Sequence, residues 1–214
     1  MNSRELEREV KRRKLLNIPA DGPIPQLKFE RGQLFTYQVI EPVSLQPAEG
    51  YKFIDCGFNI WRQMPPAQLA KFKDGDIVES IQTEDGYRIK SSDRVIKDGY
   101  TFKATIERII DGDTIWVQVD CGLNTWKRQD LRLRGIDCPE LSTKEGQAVK
   151  RFIESRIKPN SFVIIKTHKD DKYGRYLVDV FYLPGEKDIY KVAAGGIYLN
   201  QELLDNRLAV VWKG

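Results

Sequence analysis

Apolar and polar residues alternate along this chain in short runs, and the runs form two similar series. The first series has strand-like runs at 34–40, 51–55, 58–62, 77–81 and 87–90, each rich in β-branched or aromatic residues and bounded by turn formers. Pro65 and Pro66 can open a short helix that runs through Leu69 to Phe72, because proline suits a helix's first turn. The second series predicts strands at 102–110, 114–119, 131–135, 162–166 and 176–182. Between its third and fourth strands, Gln147, Ala148, Arg151, Phe152 and Ser155 recur at helical spacing, so a helix spans 144–157 and Pro159 stops it. A further helix is expected over 199–206. Both series therefore run β-β-β-α-β-β.

The repetition extends to the residues themselves. Asp55-Cys56-Gly57-Phe58-Asn59-Ile60-Trp61-Arg62 matches Asp120-Cys121-Gly122-Leu123-Asn124-Thr125-Trp126-Lys127 at an offset of 65 residues. The same offset carries Phe35-Thr36-Tyr37 onto Tyr100-Thr101-Phe102, and Tyr51 onto Trp116. One constant offset joining separated matches reads as an internal duplication. The expected fold is mainly β with helices, a β-barrel of the OB-fold type: two tandem OB-like barrels, helices accompanying the second. The chain then divides into a charged N-terminal helix and linker (1–20), a first repeat (21–98) and a second (99–214).

Composition narrows the class without deciding it. With 41% apolar and 31% charged residues, the 214-residue chain has a modest core and a well-solvated surface. A net charge of +4 is compatible with a polyanionic partner but does not demand one. Residues 3–16 are dense in Arg, Lys and Glu and look helical, acids early and bases late as the helix dipole favours. No apolar signal region precedes them and no later run is long enough for a membrane helix. With Met1 as the native start, these features point to a cytoplasmic protein without a membrane partner. Cys56, Cys121 and Cys138 lack the spacing of a zinc site or a full disulfide framework. With His168 the only histidine, any metal here is held by oxygen, which favours calcium or magnesium. His168 itself, beside Lys169, Asp170 and Asp171, reads as a solvated loop residue.

The candidate chemistry lies in the second repeat. Asp111-Gly112-Asp113-Thr114 opens one strand, and Arg132-Leu133-Arg134-Gly135-Ile136-Asp137-Cys138-Pro139-Glu140 closes another. Asp-Gly-Asp alone is weak, since Asp74-Gly75-Asp76 repeats it in what reads as a plain turn. The combination is stronger. Asp113 at one strand's start and Asp137 just past another's end can converge on one barrel rim and hold a hard cation. Glu140 stands near enough to activate a water. Arg132 and Arg175 can fork onto a phosphate that gains charge in the transition state. Arg134 reads as structural or substrate-steering. At the constant offset, Gln46, Pro47 and Ala48 stand opposite Asp111 to Asp113, and Ala67, Phe72 and Gly75 opposite Arg132, Asp137 and Glu140. The first repeat should therefore be inert, a packing partner or a nucleic-acid-binding surface.

These motifs, with Asp171-Lys172-Tyr173-Gly174-Arg175-Tyr176 and the segment from Leu199 to Val211, resemble the staphylococcal nuclease (thermonuclease) family over roughly residues 100–212. The resemblance implies an OB-type barrel with packed helices and a calcium-dependent nuclease of DNA and RNA that leaves 3′-phosphate ends. It implies that Asp113 and Asp137 ligate calcium by side chain and Cys138 by its carbonyl. Arg132, Glu140 and Arg175 would be catalytic, and Lys172 and Tyr173 would lie near the substrate phosphate. Many family members have Thr in place of Cys138. The tyrosines that line the family's nucleotide pocket are unmatched, although Trp212 can stand in for them. The rival reading is a non-catalytic nucleic-acid-binding or scaffold module of the same fold. The oligomeric state is left open.

Overall fold

The computed structural model describes residues 22–42, 51–84, 86–170 and 174–212. The charged helix expected over 3–16 and the positions Gln46 to Ala48 lie outside the described residues. In the first repeat, β1 (Thr36–Ile40), β2 (Phe53–Asp55), β3 (Trp61–Gln63), β4 (Ile77–Thr83) and β5 (Gly86–Ser91) form one sheet in the order β3-β2-β1-β4-β5. A 3-10 turn over Pro66–Lys71 takes the place of the expected short helix. In the second repeat, β6 (Thr101–Ile109), β7 (Thr114–Gly122), β8 (Thr125–Leu133), β10 (Phe162–Asp170) and β11 (Tyr176–Tyr182) close a ring in the order β6-β7-β8-β11-β10-β6. This is a five-stranded barrel of OB type, with β8 and β11 the parallel pair. The first sheet has the same cyclic order, opened at the seam between its third and fifth strands.

Among the described residues, three helices and two small pairings complete the second repeat. α1 (Lys144–Arg156) buries Gly146, Val149 and Ile153, and the Thr143 hydroxyl caps it by accepting from the Gly146 amide at 3.0 Å. β9 (Ile136–Asp137) pairs with β13 (Val210–Val211), tying the chain beyond β8 to the C-terminal segment. α2 (Ile189–Gly195), β12 (Ile197–Tyr198) and α3 (Leu199–Asp205) lie between. No helix among the described residues is long and apolar enough to cross a membrane.

Three expectations change. β8 begins at Thr125, well before the expected 131–135 strand, because its first half forms the outer arm of a hairpin and is polar on both faces. α2 was not expected from periodicity, although its capping Asp188, which accepts from the Tyr190 amide at 2.9 Å, is a legible start signal. Residue 58 was expected to begin a strand but sits in a left-handed turn, with Phe58 and Asn59 at positive φ.

That turn has the same backbone geometry as its counterpart 65 residues on. Gly57, Phe58 and Asn59 have φ of 76, 54 and 59°, and Gly122, Leu123 and Asn124 have 75, 51 and 55°. Asp55 accepts from the Gly57 amide at 2.9 Å, as Asp120 does from the Gly122 amide at 2.9 Å. The two turns also pack reciprocally. A Cβ on Gly57 would meet the Phe102 ring at 2.8 Å and Tyr100 at 3.5 Å, and one on Gly122 would overlap Tyr37 and lie 3.6 Å from Phe35. Each turn thus sits on the other repeat's first strand, an isologous arrangement within one chain. One continuous cluster of buried side chains crosses the junction, with the Phe58 ring 5.3 Å from Phe102 and 4.7 Å from Tyr176. Cys56 and Cys121 are buried there, and burial pushes both thiols up to about 12. Beyond Gln63 the constant offset loses structural meaning: Ala67 lies in the 3-10 turn, whereas Arg132 lies in a strand.

Residues 22–33, ahead of β1, lie along the second barrel. Leu27 donates to Gln201 at 2.7 Å, Arg31 reaches the carbonyls of Ala193 (3.0 Å) and Gly196 (2.6 Å), and Phe29 packs against Tyr198 with centroids 4.5 Å apart.

Candidate active site

The end of the barrel away from the inter-repeat junction gathers the sequence-selected residues. Between β6 and β7, the amides of Ile110 and Asp111 both donate to the Thr114 carbonyl (3.0 and 3.2 Å), and Asp111 accepts from the Asp113 amide at 3.0 Å. Gly112 permits the turn to press against its neighbours, since a Cβ there would lie 2.6 Å from Cys138 Cβ and 2.9 Å from Val149. The Cys138 thiol donates to the Gly112 carbonyl at 3.1 Å, and burial, reinforced by Asp113, holds it well above its ordinary pKa, so it stays protonated.

Arg132 of β8 joins the two acidic clusters. Its Nη1 donates to Asp113 Oδ1 at 2.6 Å and its Nη2 to Asp137 Oδ1 at 2.8 Å. Asp113 also accepts from the Cys138 amide at 3.0 Å and the Thr114 hydroxyl at 3.1 Å. Burial nevertheless pushes its carboxyl above the usual range, against the pull of Arg132. Asp113 is buried and Asp137 is open to solvent. Arg175, entering β11, reaches Thr114 Oγ1 at 3.4 Å, so both arginines approach the same strand end. The Trp212 ring lies under Arg132, 5.5 Å from the guanidinium carbon.

Glu140 is exposed in the turn before α1, where its carbonyl accepts from the Thr143 amide at 2.9 Å. It stands outside the helix, whose first-turn acid is Glu145. Lys172 and Tyr173 lie outside the described residues. Among the described residues no three His, Cys, Asp or Glu side chains gather as a metal cage. What the rim offers is carboxylate oxygen from Asp113 and Asp137, which share one guanidinium.

Thr114, which links Arg175 to Asp113, is the site residue sequence reasoning passed over, and its signal was its place beside Asp113. Arg134 does not share the rim. Its Nε and Nη2 fork onto buried Asp179 at 2.9 Å each, and Tyr198 (2.6 Å) and His168 (2.9 Å) bind the same carboxylate. His168 is therefore a strand residue of β10 with a buried partner, not a solvated loop residue. Asp74-Gly75-Asp76 is a turn, with Gly75 at φ 87°.

Residues 130–213 match the staphylococcal nuclease homologue family. The chain carries a C-terminal SNase-like domain. The match takes in Arg132, Asp137, Cys138, Glu140 and Arg175; Asp113 precedes it and is joined to it by the Arg132 ion pair. An uncharacterized protein of Methanocaldococcus jannaschii is 28% identical over 137 residues, covering 49% of this chain and 64% of the relative. The chain thus spans less than two thirds of that relative's length.

Proposed function

We propose that the SNase-like domain is a calcium-dependent nuclease that hydrolyses phosphodiesters of DNA, RNA or both and leaves 3′-phosphate ends. The observation that carries this reading is the convergence on one rim of Asp113, Asp137 and two arginines from β8 and the start of β11. The donors suit a hard cation: carboxylate oxygens, one of them buried with a guanidinium as its counter-charge, and the carbonyl of Cys138 next to Asp137. Bound there, calcium would neutralise phosphate charge and favour ionisation of a water. Arg132 then turns its donors from the carboxylates to the phosphate, and Arg175 supplies a second fork as charge grows on the non-bridging oxygens. Glu140, exposed on its turn, takes the proton of the attacking water. Trp212, stacked on Arg132, offers a flat surface for a base. Lys172 and Tyr173, shortly before Arg175 in the chain, would contact the substrate phosphate.

The test is cleavage of single- and double-stranded DNA and RNA with added calcium and with chelator. Glu140→Gln should lower turnover by ~10²–10⁴-fold, the span of a general base, with calcium binding intact by calorimetry. Unchanged turnover removes Glu140 from the mechanism. Binding of nucleic acid without cleavage under any condition favours the non-catalytic module.

A further inference from the structure

We propose that the open cavity between the C-terminal end of α1 and the loop from β11 to α2 binds a small phosphorylated ligand, held by Lys103, Lys158 and Lys187. The site is separate from the rim and does not depend on the nuclease reading.

The cavity has a volume of about 720 Å³, inside the roughly 300–1,000 Å³ span of small-molecule sites. Its floor is the outer face of the barrel, with Lys103 and Thr105 of β6 beside Phe162, which opens β10. Ser155 and Arg156 end α1 on one side, with Lys158 in the turn that follows, and the loop from Leu183 to Lys187 forms the other wall. Arg175 enters β11 at the rim, whereas Tyr182 ends that strand at the cavity, about 20 Å away at strand rise. A ligand held here does not touch the residues proposed for cleavage.

Four cations line the cavity against one carboxylate. One of the four, Arg156, is committed: its Nε donates to Glu202 of α3 at 3.1 Å, and the other Glu202 oxygen accepts from the Tyr182 hydroxyl at 2.6 Å. The lining carboxylate, Glu186, turns into its own loop. Its Oε1 accepts from the amides of Lys187 (2.8 Å) and Asp188 (2.9 Å), and its Oε2 lies 3.6 Å from Lys191 Nζ. Lys103, Lys158 and Lys187 have no carboxylate within ion-pair reach among the described residues. Asp120 stands opposite Lys103 on β7 but accepts from the Gly122 amide, and Lys103 Nζ lies instead 5.7 Å from the Phe162 ring centroid. Bare carbonyls at the end of α1 would repel an anion, but those beside the cavity are taken: Phe152's by the Ser155 hydroxyl, Ile153's by the Ile157 amide, and Lys158's, in the next turn, by Ser161. A solvated lysine needs no partner. Three unpaired lysines, brought to one concavity from a strand, a turn and a loop, concentrate positive charge where phosphate oxygens can accept from several ammoniums at once. Phe162, Leu183 and Pro184 give the organic part of such a ligand an apolar wall.

The experiment is calorimetric titration of the full chain, in chelator, with inorganic pyrophosphate and with ADP. Both should bind. Tighter binding of ADP assigns the apolar wall to the organic part, and equal affinity leaves the phosphates as what is recognised. Lys103→Gln, Lys158→Gln and Lys187→Gln should each weaken binding roughly tenfold, the weight of a hydrogen bond to a charged group, and Lys103→Arg should retain it. Lys158 and Lys187 are exposed, so their variants lose charge without loss of packing. The triple variant Lys71→Gln/Lys73→Gln/Lys90→Gln removes charge from exposed positions of the first repeat and should bind as wild type does. Arg132→Met, at the rim, should do the same. Absence of binding by either probe, or an equal loss in the first-repeat variant, overturns the site. So does a loss in Arg132→Met, which puts the probe at the rim. Displacement of ADP by an oligothymidylate but not by pyrophosphate also overturns it, since the cavity then belongs to a polynucleotide.

Discussion

Replacing Arg132 with Met removes the guanidinium while keeping an unbranched apolar stem, so it tests the ion pairs with little loss of packing. The Arg132 and Asp113 side chains are 12% and 7% exposed, whereas the Asp137 side chain is 53% exposed. Breaking the buried leg costs about 3–5 kcal/mol because Asp113 is left without its counter-charge. The exposed leg adds at most about 1 kcal/mol. At roughly 2–4 °C per kcal/mol for a chain of this size, Arg132→Met should melt about 6–24 °C below wild type in chelator. Calcium at about a hundredfold over its Kd should return about 2.7 kcal/mol, because both carboxylates then face a cation again. Calorimetric unfolding with and without calcium checks both halves. If Arg132→Met is as stable as wild type in chelator, Asp113 does not depend on the pair. If calcium raises the Tm of neither protein, the rim is not a cation site. Turnover should fall in the variant whatever its stability, since one phosphate fork is gone.

The junction and the buried cluster make separate predictions. Gly122 and Gly185 have φ of 75 and 76°, but only Gly122 has a neighbour, Tyr37, where a Cβ would stand. Gly122→Ala should therefore destabilise by about 1–3 kcal/mol more than Gly185→Ala in urea unfolding, and equal losses would mean that the repeats do not press together there. Burial pushes the Asp179 carboxyl up, but hydrogen bonds from His168, Arg134 and Tyr198 outweigh it and hold the pKa below the ordinary value. That stability is present above the unfolded carboxyl's pKa, about 3.9, and is lost as pH falls through the depressed folded value. Asp179→Asn should thus be less stable near neutrality and show a flatter decline in acid; an unaltered acid slope refutes the assignment. Deleting residues 1–98 should bare Phe102 and Tyr176 and yield a fragment that binds a hydrophobic dye, whereas a fragment with wild-type unfolding would show that the second barrel stands alone.

The sequence discloses groups that lie close along the chain and hides those joined across it. Asp113, Arg132, Asp137, Cys138 and Glu140 stand out because turn and strand-end motifs keep chemistry-bearing residues within a few positions. That Arg132 binds both carboxylates follows from the β7–β8 register and the turn into β9, which no spacing reveals. His168 looks solvated because its sequence neighbours are charged, yet its partner Asp179 is set by the β10–β11 hairpin. The first half of β8 escaped because a strand polar on both faces carries no period. The constant offset failed past Gln63 for a similar reason: it follows the chain, and the second repeat carries its own strand length and α1 before the fourth strand.

What the two repeats share is distributed in space as well as in sequence. The matching residues, 35–37 with 100–102 and 55–62 with 120–127, lie at the junction end of each sheet, where each turn seats on the other repeat. The second repeat's candidate chemistry lies at the opposite end of the same strands. β6 runs from Thr101 at the junction to Ile109 near the acidic turn, and β8 runs from Trp126 at the junction to Arg132 at the rim. Loss of the carboxylates and arginines from one repeat therefore leaves the junction untouched. Loss of a junction glycine in either repeat would instead strain both. Two sheets joined this way, one closed and one open, can differ at their far ends while the matching turns keep the shared surface.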